Sequence, residues 1–320
     1  MVEKENTINK ETFLVKYSLQ KCFSDSRLEW DVLERIYQDY TSLQKMNEFA
    51  ECCKKLEDFC REQLMKNVTV HSIRCRAKAP EHLIEKIIRK RGKEQTKKYD
   101  GINEKNYTQI VRDLIGLRIL VIKKEDWEAV FDELTRIFPY KENKESSGRT
   151  SPEAAEMPYM AEIPVAYIRY GDRDIYKNKI KKEYSNKGYR SQHYVIKYGG
   201  FYCEIQVRTL AEEVFGEFDH LVKYPYRNDN NFLLRYTNTL SKLTDSIDEM
   251  MSTCFQINED GWEQCAKYFP ADEYSDWKQT AQSVDREKTK TKDGKICKPP
   301  SGDSISIRDY CNEILLRKGN

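Results

Sequence analysis

The segment FYCEIQVRT carries a row of polar side chains on a strand that is otherwise apolar. Successive residues of a β-strand point to opposite faces of the sheet, so one face of this segment is apolar and the other is polar. The polar face carries the carboxylate of Glu204, the amide of Gln206 and the guanidinium of Arg208. Such a face is either a solvated outer surface or the floor of a cleft, and this segment alone leaves both interpretations open.

A second apolar segment, DLIGLRILVI, begins with Asp113 and carries Arg118 among aliphatic residues. A buried arginine without a partner is costly, so Arg118 is expected to meet an anion, a carboxylate or an aromatic ring. Asp113 taken alone could equally be a turn residue at the start of a strand. Together with Glu204, however, it could hold Mg²⁺, which prefers one or two carboxylates and substrate phosphates as ligands.

These residue types indicate one class of chemistry. Two carboxylates, arginines on strands, and the segment GYRS between basic runs fit phosphoryl or pyrophosphoryl transfer. Such a reaction needs a metal ion, positive charge and accurate positioning rather than a covalent nucleophile.

The elements that must position these residues indicate an α+β fold. The first 79 residues contain neither Gly nor Pro, and apolar residues recur at helical spacing over 30–64, which predicts an amphipathic helix or a helix pair. Further helices are predicted at 80–91 and 126–138, and a long exposed loop is predicted at 141–162.

Strands are predicted at 113–122, in IPVAYIRY, and in a hairpin at 187–210, followed by two more helices. The segment 113–122 is apolar on both faces, which is typical of a central strand that is buried on both. The predicted architecture is a mixed β-sheet of about five strands flanked by helices from both ends of the chain. We divide the chain into an N-terminal helical region at 1–69, a central domain at 70–226, a C-terminal helix at 227–257 that packs on this domain, and a tail at 258–320 with a basic linker and a short terminal helix.

Composition excludes several classes of protein. The formal net charge is only +2 although 34% of the residues are charged, so bulk charge does not indicate a nucleic-acid or membrane coat. No segment approaches the roughly 20 apolar residues of a membrane span. The N-terminus shows no signal peptide, and the ten cysteines show neither a CxxC pair nor zinc-ligand spacing, so we expect reduced thiols in a cytoplasmic protein.

Five segments, in order, resemble the synthetase domain of the RelA/SpoT family, the alarmone (p)ppGpp synthetases. They are RAKAPEHLIEKIIRK at 76–90, DLIGLRI at 113–119, GYRSQHY at 188–194, EIQVRTL at 204–210 and EFDHLVKYPY at 217–226. The stretch KLTDSIDEMM also resembles the helix that follows this domain in short family members, so the similarity spans about 70–255. The resemblance implies a nucleotidyltransferase-like synthetase domain that transfers the β,γ-pyrophosphate of ATP to the 3′-hydroxyl of GDP or GTP.

The resemblance also implies roles for residues on the donor side. Asp113 would ligate Mg²⁺, and Glu204 would ligate it too or act as general base on the 3′-hydroxyl. Arg76 and Arg118 would sandwich the adenine of ATP. The remaining ATP-binding residues, Lys78 and Lys86, would meet its phosphates.

On the acceptor side, the resemblance implies that Tyr189 stacks on the guanine, a contact worth about 1–3 kcal/mol for a base on an aromatic ring. His193 would support the acceptor loop, although a histidine at such a place can equally make a core hydrogen bond. Arg190 would contact the substrate or shape the loop. The other acceptor-binding residues are expected to be Lys187, Gln206 and Arg208.

Three positions depart from the family pattern. Ser185 stands where a lysine commonly precedes the GYRS glycine by three residues, Phe215 stands where a tryptophan is often found, and His82 replaces a usual serine. These departures leave the choice of acceptor open. No histidine of the chain is followed by aspartate, so we expect no metal-dependent hydrolase domain and a protein that makes the product without removing it.

Two other functions compete with this interpretation. Some toxic relatives pyrophosphorylate the 3′ end of tRNA or make adenosine alarmones, and the basic clusters at 86–98, 177–182 and 286–298 would suit RNA phosphates. A degenerate nucleotide-binding module would be favoured by loss of a metal carboxylate, yet both are present. We therefore expect ATP and GDP or GTP as partners, with tRNA as the alternative, no membrane, and a homo-oligomer as an open possibility.

Overall fold

The computed structural model describes residues 7–140, 157–185, 188–223 and 230–260. The strands in this part of the chain are β1 (Ser72–Ala77), β2 (Ile115–Val121), β3 (Tyr159–Met160), β4 (Val165–Arg169), β5 (Lys181–Ser185), β6 (Ser191–Tyr198) and β7 (Phe201–Thr209). The helices are α1 (Lys10–Lys16), α2 (Gln20–Ser26), α3 (Trp30–Thr41), α4 (Leu43–Asn67), α5 (Pro80–Gly92), α6 (Tyr107–Ile110), α7 (Trp127–Ile137), α8 (Leu210–Lys223) and α9 (Asn231–Asp260).

The strands form one mixed sheet in the order β1-β2-β7-β6-β4-β5, with β3 paired to β6. The pairs β2/β7 and β4/β5 are parallel, and the pairs β1/β2, β6/β7 and β4/β6 are antiparallel. Helices from the N-terminal region and from the end of the described chain flank this sheet, so the predicted α+β architecture is confirmed. The sheet has seven strands rather than about five, because β3 has only two residues and the polar β5 lacks the apolar alternation that marks a strand.

The core lies on one face of the sheet. Side chains of β2 alternate between fully buried Ile115, Leu117, Ile119 and Val121 and partly exposed residues between them. Helix α4 packs on the buried face of β1 and β2, and α7 packs beside it. The prediction that both faces of this strand are buried is therefore wrong, because Gly116 and Arg118 leave the second face open.

The hairpin β6–β7 turns through two glycines. Gly199 and Gly200 have φ values of +55° and +82°, a conformation that glycine adopts without a steric penalty and that suits a two-residue hairpin turn. This turn fixes the register in which His193 pairs with Gln206 and Val195 pairs with Glu204, so these four side chains share one face of the sheet.

Helix α8 follows β7 without a loop. The Thr209 hydroxyl accepts a hydrogen bond from the Glu212 amide at 3.0 Å, and the Glu212 carboxylate accepts one from the Thr209 amide at 2.8 Å. This reciprocal pair is a capping box, which satisfies two backbone N–H groups at the helix start and fixes the direction of the helix. As a result, the first turns of α8 lie directly beside the polar end of β7.

The predicted long helix pair over 30–64 corresponds to α3 and α4, and the predicted helices at 80–91 and 126–138 correspond to α5 and α7. Two short helices, α1 and α2, precede them. The predicted loop at 141–162 lies mostly outside the described residues, as do the tail beyond residue 260 and its predicted terminal helix.

Candidate active site

A cavity of about 500 Å³ opens on the polar face of the sheet. Its volume is within the range of about 300–1,000 Å³ that is usual for small-molecule sites. Strands β1, β2 and β7 supply its floor, and the start of α5 and the middle of α8 supply its walls. Its lining includes Arg76, Lys78, His82, Asp113, Gly116, Arg118, Tyr189, Glu204, Gln206, Arg208, Gly216, Glu217, Asp219 and His220. The polar face of β7 is therefore the floor of a cleft rather than a solvated outer surface.

Asp113 lies just before β2, largely enclosed between two lysines. Its carboxylate oxygens lie 3.0 Å from Nζ of Lys78 and 2.7 Å from Nζ of Lys86. Burial alone would raise the pKa of Asp113, but the two ammonium groups outweigh it and hold this pKa below its usual value. The pKa of Lys86 is raised, because attraction to Asp113 outweighs the effect of its own burial. Asp113 is therefore ionised at neutral pH and surrounded by positive charge.

Arg76 and Arg118 stand on neighbouring strands with open floor between them. Arg76 pairs across the β1–β2 ladder with Gly116, whose missing side chain leaves the surface free beside Arg118, two residues away. Diagonal neighbours on paired strands lie about 7–8 Å apart. Arg76 and Arg118 are therefore diagonal neighbours that line the same cavity, with the side-chain-free Gly116 next to both.

The acceptor-side residues form a closed ring of hydrogen bonds. Gln206 Nε2 donates to Glu204 Oε2 at 2.6 Å, and Arg208 Nη2 donates to Gln206 Oε1 at 2.8 Å. Arg208 Nη2 also donates to the Tyr189 hydroxyl at 2.5 Å. His193 closes the ring, since its Nε2 lies 2.8 Å from the Tyr189 hydroxyl and its Nδ1 lies 3.3 Å from Glu204 Oε1. Every member is thereby fixed relative to the others.

The ring also sets the charge of Glu204. Burial and the nearby Asp113 would raise the pKa of Glu204, but the hydrogen bond and the charge of His193, together with Lys86, lower it below its usual value. Burial raises the pKa of the Tyr189 hydroxyl, so this group stays protonated at neutral pH. Glu204 is therefore an ionised carboxylate held in a fixed orientation by two neighbours.

Glu213 of α8 connects the two sides of the cleft. It pairs with Arg118 of β2, and its other oxygen accepts a hydrogen bond from Arg208 Nη1 at 3.0 Å. Glu217, one helical turn further on, also pairs with Arg118. Both arginines thus meet the carboxylates that their burial requires. Neither Glu213 nor Glu217 was predicted from the sequence, although their spacing of four residues on a predicted helix placed them on one face.

Gly188 of the GYRS segment lies against α9. Its φ is +76°, and a Cβ at this position would come within 2.4 Å of the Ser241 hydroxyl. No residue other than glycine fits this backbone without displacement of α9. The close approach ties the loop that carries Tyr189 to the C-terminal helix.

Arg190 does not reach the cleft. Its guanidinium is buried on the opposite side of the loop, where it pairs with Asp245 and lies 3.4 Å from Asp172 and 3.7 Å from Asp248. Only 10% of its side chain is exposed, and its ion pairs hold the loop, so this position fits the shaping of the loop better than contact with the substrate. Lys187 lies outside the described residues. The other predicted site residues of the donor and acceptor sets come together in or directly beside the cavity.

The donor set fits a magnesium ion. Asp113 and Glu204 line one cavity, and carboxylates with room for substrate phosphates are the ligands that Mg²⁺ prefers. Lys78 and Lys86 would then exchange part of their contact with Asp113 for contact with those phosphates. No group of three or more potential metal ligands occurs in the part of the chain that the structure describes, so a metal here would depend on the substrate for its remaining ligands.

The fold and the cleft define a class of protein. An α+β domain here presents two ionised carboxylates, several cations and a fixed tyrosine to one cavity, which suits a polyphosphate ligand with a divalent cation. Residues 75–229 match the family described as "Region found in RelA / SpoT proteins". Residues 75–229 are therefore a region of the RelA/SpoT family, and the predicted resemblance is confirmed.

Several solved structures are similar to the chain. The smu.1046c protein from Streptococcus mutans UA159 is 24% identical, with a TM-score of 0.46 over 68% of this chain and 95% of that one. A GTP pyrophosphokinase family protein from Streptococcus pneumoniae is 20% identical, with a TM-score of 0.47 over 72% and 100%. Small alarmone synthetase 1 from Bacillus subtilis bound to its product pppGpp is 17% identical, with a TM-score of 0.45 over 68% and 97%. Among curated protein sequences, none matches.

None of the helices in the described ranges combines the length and the apolar character needed to cross a bilayer.

Proposed function

We propose that this protein is a pyrophosphotransferase that moves the β,γ-pyrophosphate of ATP to the 3′-hydroxyl of GDP or GTP. The observation that carries this proposal is the convergence of Asp113 and Glu204 on one cavity, with cations on one side and the fixed tyrosine on the other. The match of residues 75–229 to the RelA/SpoT family supports it.

On the donor side, the slot between Arg76 and Arg118 is suited to the adenine ring, since guanidinium planes stack on aromatic faces. Lys78 and Lys86 lie where the phosphates would approach Asp113, and their ammonium groups would neutralise the phosphate charge. Mg²⁺ held by Asp113, when bound, would add further charge neutralisation at the transferred group.

On the acceptor side, the ring of Tyr189 would stack on the guanine, and Glu204 would act on the ribose 3′-hydroxyl. The acceptor 3′-oxygen attacks the β-phosphorus of ATP, the bond from the β-phosphorus to the α–β bridging oxygen breaks, and AMP leaves. The proton of the hydroxyl passes to the Glu204 carboxylate, whose lowered pKa keeps it ionised and able to accept at neutral pH.

The test is to incubate the protein with Mg²⁺ and ATP labelled at the γ-phosphate, together with GDP, GTP, AMP or tRNA in separate reactions. We expect label in GDP or GTP and one AMP released for each labelled product. Transfer to tRNA or to AMP alone would assign the protein to the competing acceptors. Release of ADP instead of AMP, or no labelled acceptor in any reaction, would contradict pyrophosphoryl transfer.

A further inference from the structure

Four cysteines meet in two pairs where α4 packs on the sheet. The cysteines of the described residues are all free thiols. Cys52 and Cys53, adjacent in α4, are both buried, and each hydrogen-bonds with the thiol of a strand residue: Cys52 with Cys203 of β7, and Cys53 with Cys75 of β1. Neither pair lines the cavity, so the proposed reaction does not account for them.

Contacts between α4 and the backbone of β1 hold the second pair in place. The backbone amide of Cys75 donates to Glu57 Oε2 at 2.8 Å, and Arg61 Nη2 donates to the backbone oxygen of Ile73 at 3.2 Å. Cys53, Glu57 and Arg61 follow one another at intervals of four, so they share the face of α4 that lies along β1. The packing of these two elements therefore keeps the Cys53 and Cys75 thiols in contact.

The two pairs differ in their access to solvent. Cys203 is fully buried on β7, which lies between β2 and β6 in the sheet. Cys75 is partly exposed on β1, an edge strand of the sheet that the described residues form. A small oxidant can therefore reach the Cys53–Cys75 pair, whereas the Cys52–Cys203 pair is enclosed in the core.

The contact between Cys53 and Cys75 also prepares one of the two thiols for reaction. Their hydrogen bond lowers the pKa of Cys53 below its usual value and, together with burial, raises the pKa of Cys75. The thiolate, which is the reactive form of cysteine, thus forms first at Cys53. Cys75 lies beside it as a second thiol, and such an arrangement is typical of cysteines that respond to oxidants.

We propose that Cys53 and Cys75 form a disulfide when the protein meets a hydroperoxide, and that this cross-link weakens ATP binding. The Cys53 thiolate attacks the terminal oxygen of the hydroperoxide, the O–O bond breaks, and the released oxygen takes up a proton and leaves as water or an alcohol. Cys53 then carries a sulfenic acid. The Cys75 sulfur attacks the sulfenic sulfur, the S–O bond breaks, and hydroxide leaves with the Cys75 proton as water. The two thiols lose two electrons in total, and the hydroperoxide gains them.

The cross-link would act on the cleft through β1. Arg76 follows Cys75 in the chain and lines the cavity on the opposite face of the strand. A covalent bond holds two sulfurs closer together than a hydrogen bond does, so the edge strand β1 must move toward α4 when the disulfide forms. This movement displaces Arg76, which contacts the adenine of ATP under the proposed function. The effect on ATP rests on that function, whereas the cross-link itself does not.

The first test treats the reduced, full-length protein with hydrogen peroxide, blocks the remaining thiols and maps the peptides by mass spectrometry without reduction. We expect the peptide that contains Cys75 to be joined to the peptide that carries Cys52 and Cys53. The cross-link should be lost in Cys53→Ala and in Cys75→Ala. It should persist in Cys52→Ala, the matched control, which removes the adjacent thiol of the same helix.

The second test measures the binding of a non-hydrolysable ATP analogue before and after oxidation. Oxidation of the wild type should raise the Kd for the analogue about three- to thirtyfold, the range for a weakened contact between a guanidinium and an aromatic ring. Dithiothreitol should restore the original Kd. Cys75→Ala should bind the analogue equally well with and without peroxide, while Cys52→Ala should respond like the wild type.

Three results would overturn the proposal. They are an oxidised wild type without the Cys53–Cys75 cross-link, a cross-linked protein whose Kd for the analogue is unchanged, and a cross-link that forms between Cys52 and Cys203 instead. If the reduced wild type does not bind the analogue at all, the proposed function fails, and the peptide map alone decides whether the thiol pair is reactive.

Discussion

The two halves of the cleft are built in different ways. In the β1–β2 half, each of Lys78, Lys86 and Arg118 is held by a carboxylate, so its charge is already neutralised before a ligand arrives. In the β6–β7 half, polar groups are joined in a closed ring of hydrogen bonds that needs no ligand to complete it.

The two halves are therefore expected to bind a substrate in different ways. Under the proposed function the β1–β2 half is the donor half, where a phosphate chain would replace the carboxylate partners, so binding there would be an exchange of ion pairs. The β6–β7 half is the acceptor half, and its groups are oriented in advance, which favours positioning over charge neutralisation. Variants in the donor half should therefore act through charge, and variants in the acceptor half through geometry.

The largest loss of turnover is expected from changes to Asp113 and Glu204, one carboxylate from each half of the cleft. Asp113→Asn and Glu204→Gln should each lower turnover at least about 100-fold, since each removes a metal ligand or the general base. Removal of divalent cations with a chelator should have a similar effect. The measurement is the initial rate of pyrophosphate transfer at saturating ATP and acceptor.

Glu183→Gln is the matched control for these two variants, since Glu183 is a carboxylate of the same sheet that pairs with Lys181. It should keep the wild-type rate. If Asp113→Asn or Glu204→Gln turns over near the wild-type rate in Mg²⁺, the role proposed for that residue is wrong.

A smaller effect is expected from Tyr189→Phe, which tests the geometry of the acceptor half. If stacking were the sole role of Tyr189, this change would be mild. Because its hydroxyl accepts from Arg208 and contacts His193, we expect the KM for the acceptor to rise about tenfold, since hydrogen bonds to charged groups contribute about 1.5–3 kcal/mol. The Kd for ATP should be unchanged. Equal weakening of ATP and acceptor binding would show that the ring supports the entire cleft.

Effects of a few-fold are expected from the two carboxylates of α8. Glu213→Gln should alter both ATP and acceptor binding, because Glu213 contacts Arg118 and Arg208, whereas Glu217→Gln should alter ATP binding alone. The two variants remove the same charge one helical turn apart, so each is the control for the other. Titration with a non-hydrolysable ATP analogue and with GDP separates the two sites. Identical profiles for the two variants would refute a connection through Glu213.

The smallest effect is expected from Asp248 of α9, which lies 3.7 Å from Arg190 in the loop that carries Tyr189. Burial, and then the neighbouring Glu212, raises the pKa of Asp248 to about 7, above its ordinary value of about 3.9. The folded state therefore holds this proton more tightly, and the stability gained is complete below about pH 4 and lost as the pH rises through 7.

Asp248→Asn imitates the protonated form, so its melting temperature should exceed that of the wild type at pH 8 by about 2–4 °C for each kcal/mol gained. Near pH 4 the two should agree. Thermal melts of both proteins across this pH range provide the measurement, and a constant difference at every pH would rule out titration of Asp248 as the cause.

Much of the site could be predicted from the sequence. Alternation along FYCEIQVRT determined that Glu204, Gln206 and Arg208 share a face, because the period of a strand is two residues. The isolated Arg118 in an apolar strand required a charged partner, and the structure supplies Glu213 and Glu217. Five ordered motifs indicated the family, although they did not reveal the position of Arg190.

Other features were decided only by the tertiary structure. The apolar spacing in α9 is compatible with a buried or an exposed apolar face. Arg169 of β4 and Arg190 of the GYRS loop require polar partners, so the polar face of α9 turns inward. The hydrogen-bond ring depends on the register of β6 against β7 and on the loop that brings Tyr189 to Arg208. Sequence periodicity specifies which residues share a face of each element. Contacts between elements that are distant in the chain form only when the sheet assembles, because polar groups that become buried must then be hydrogen-bonded.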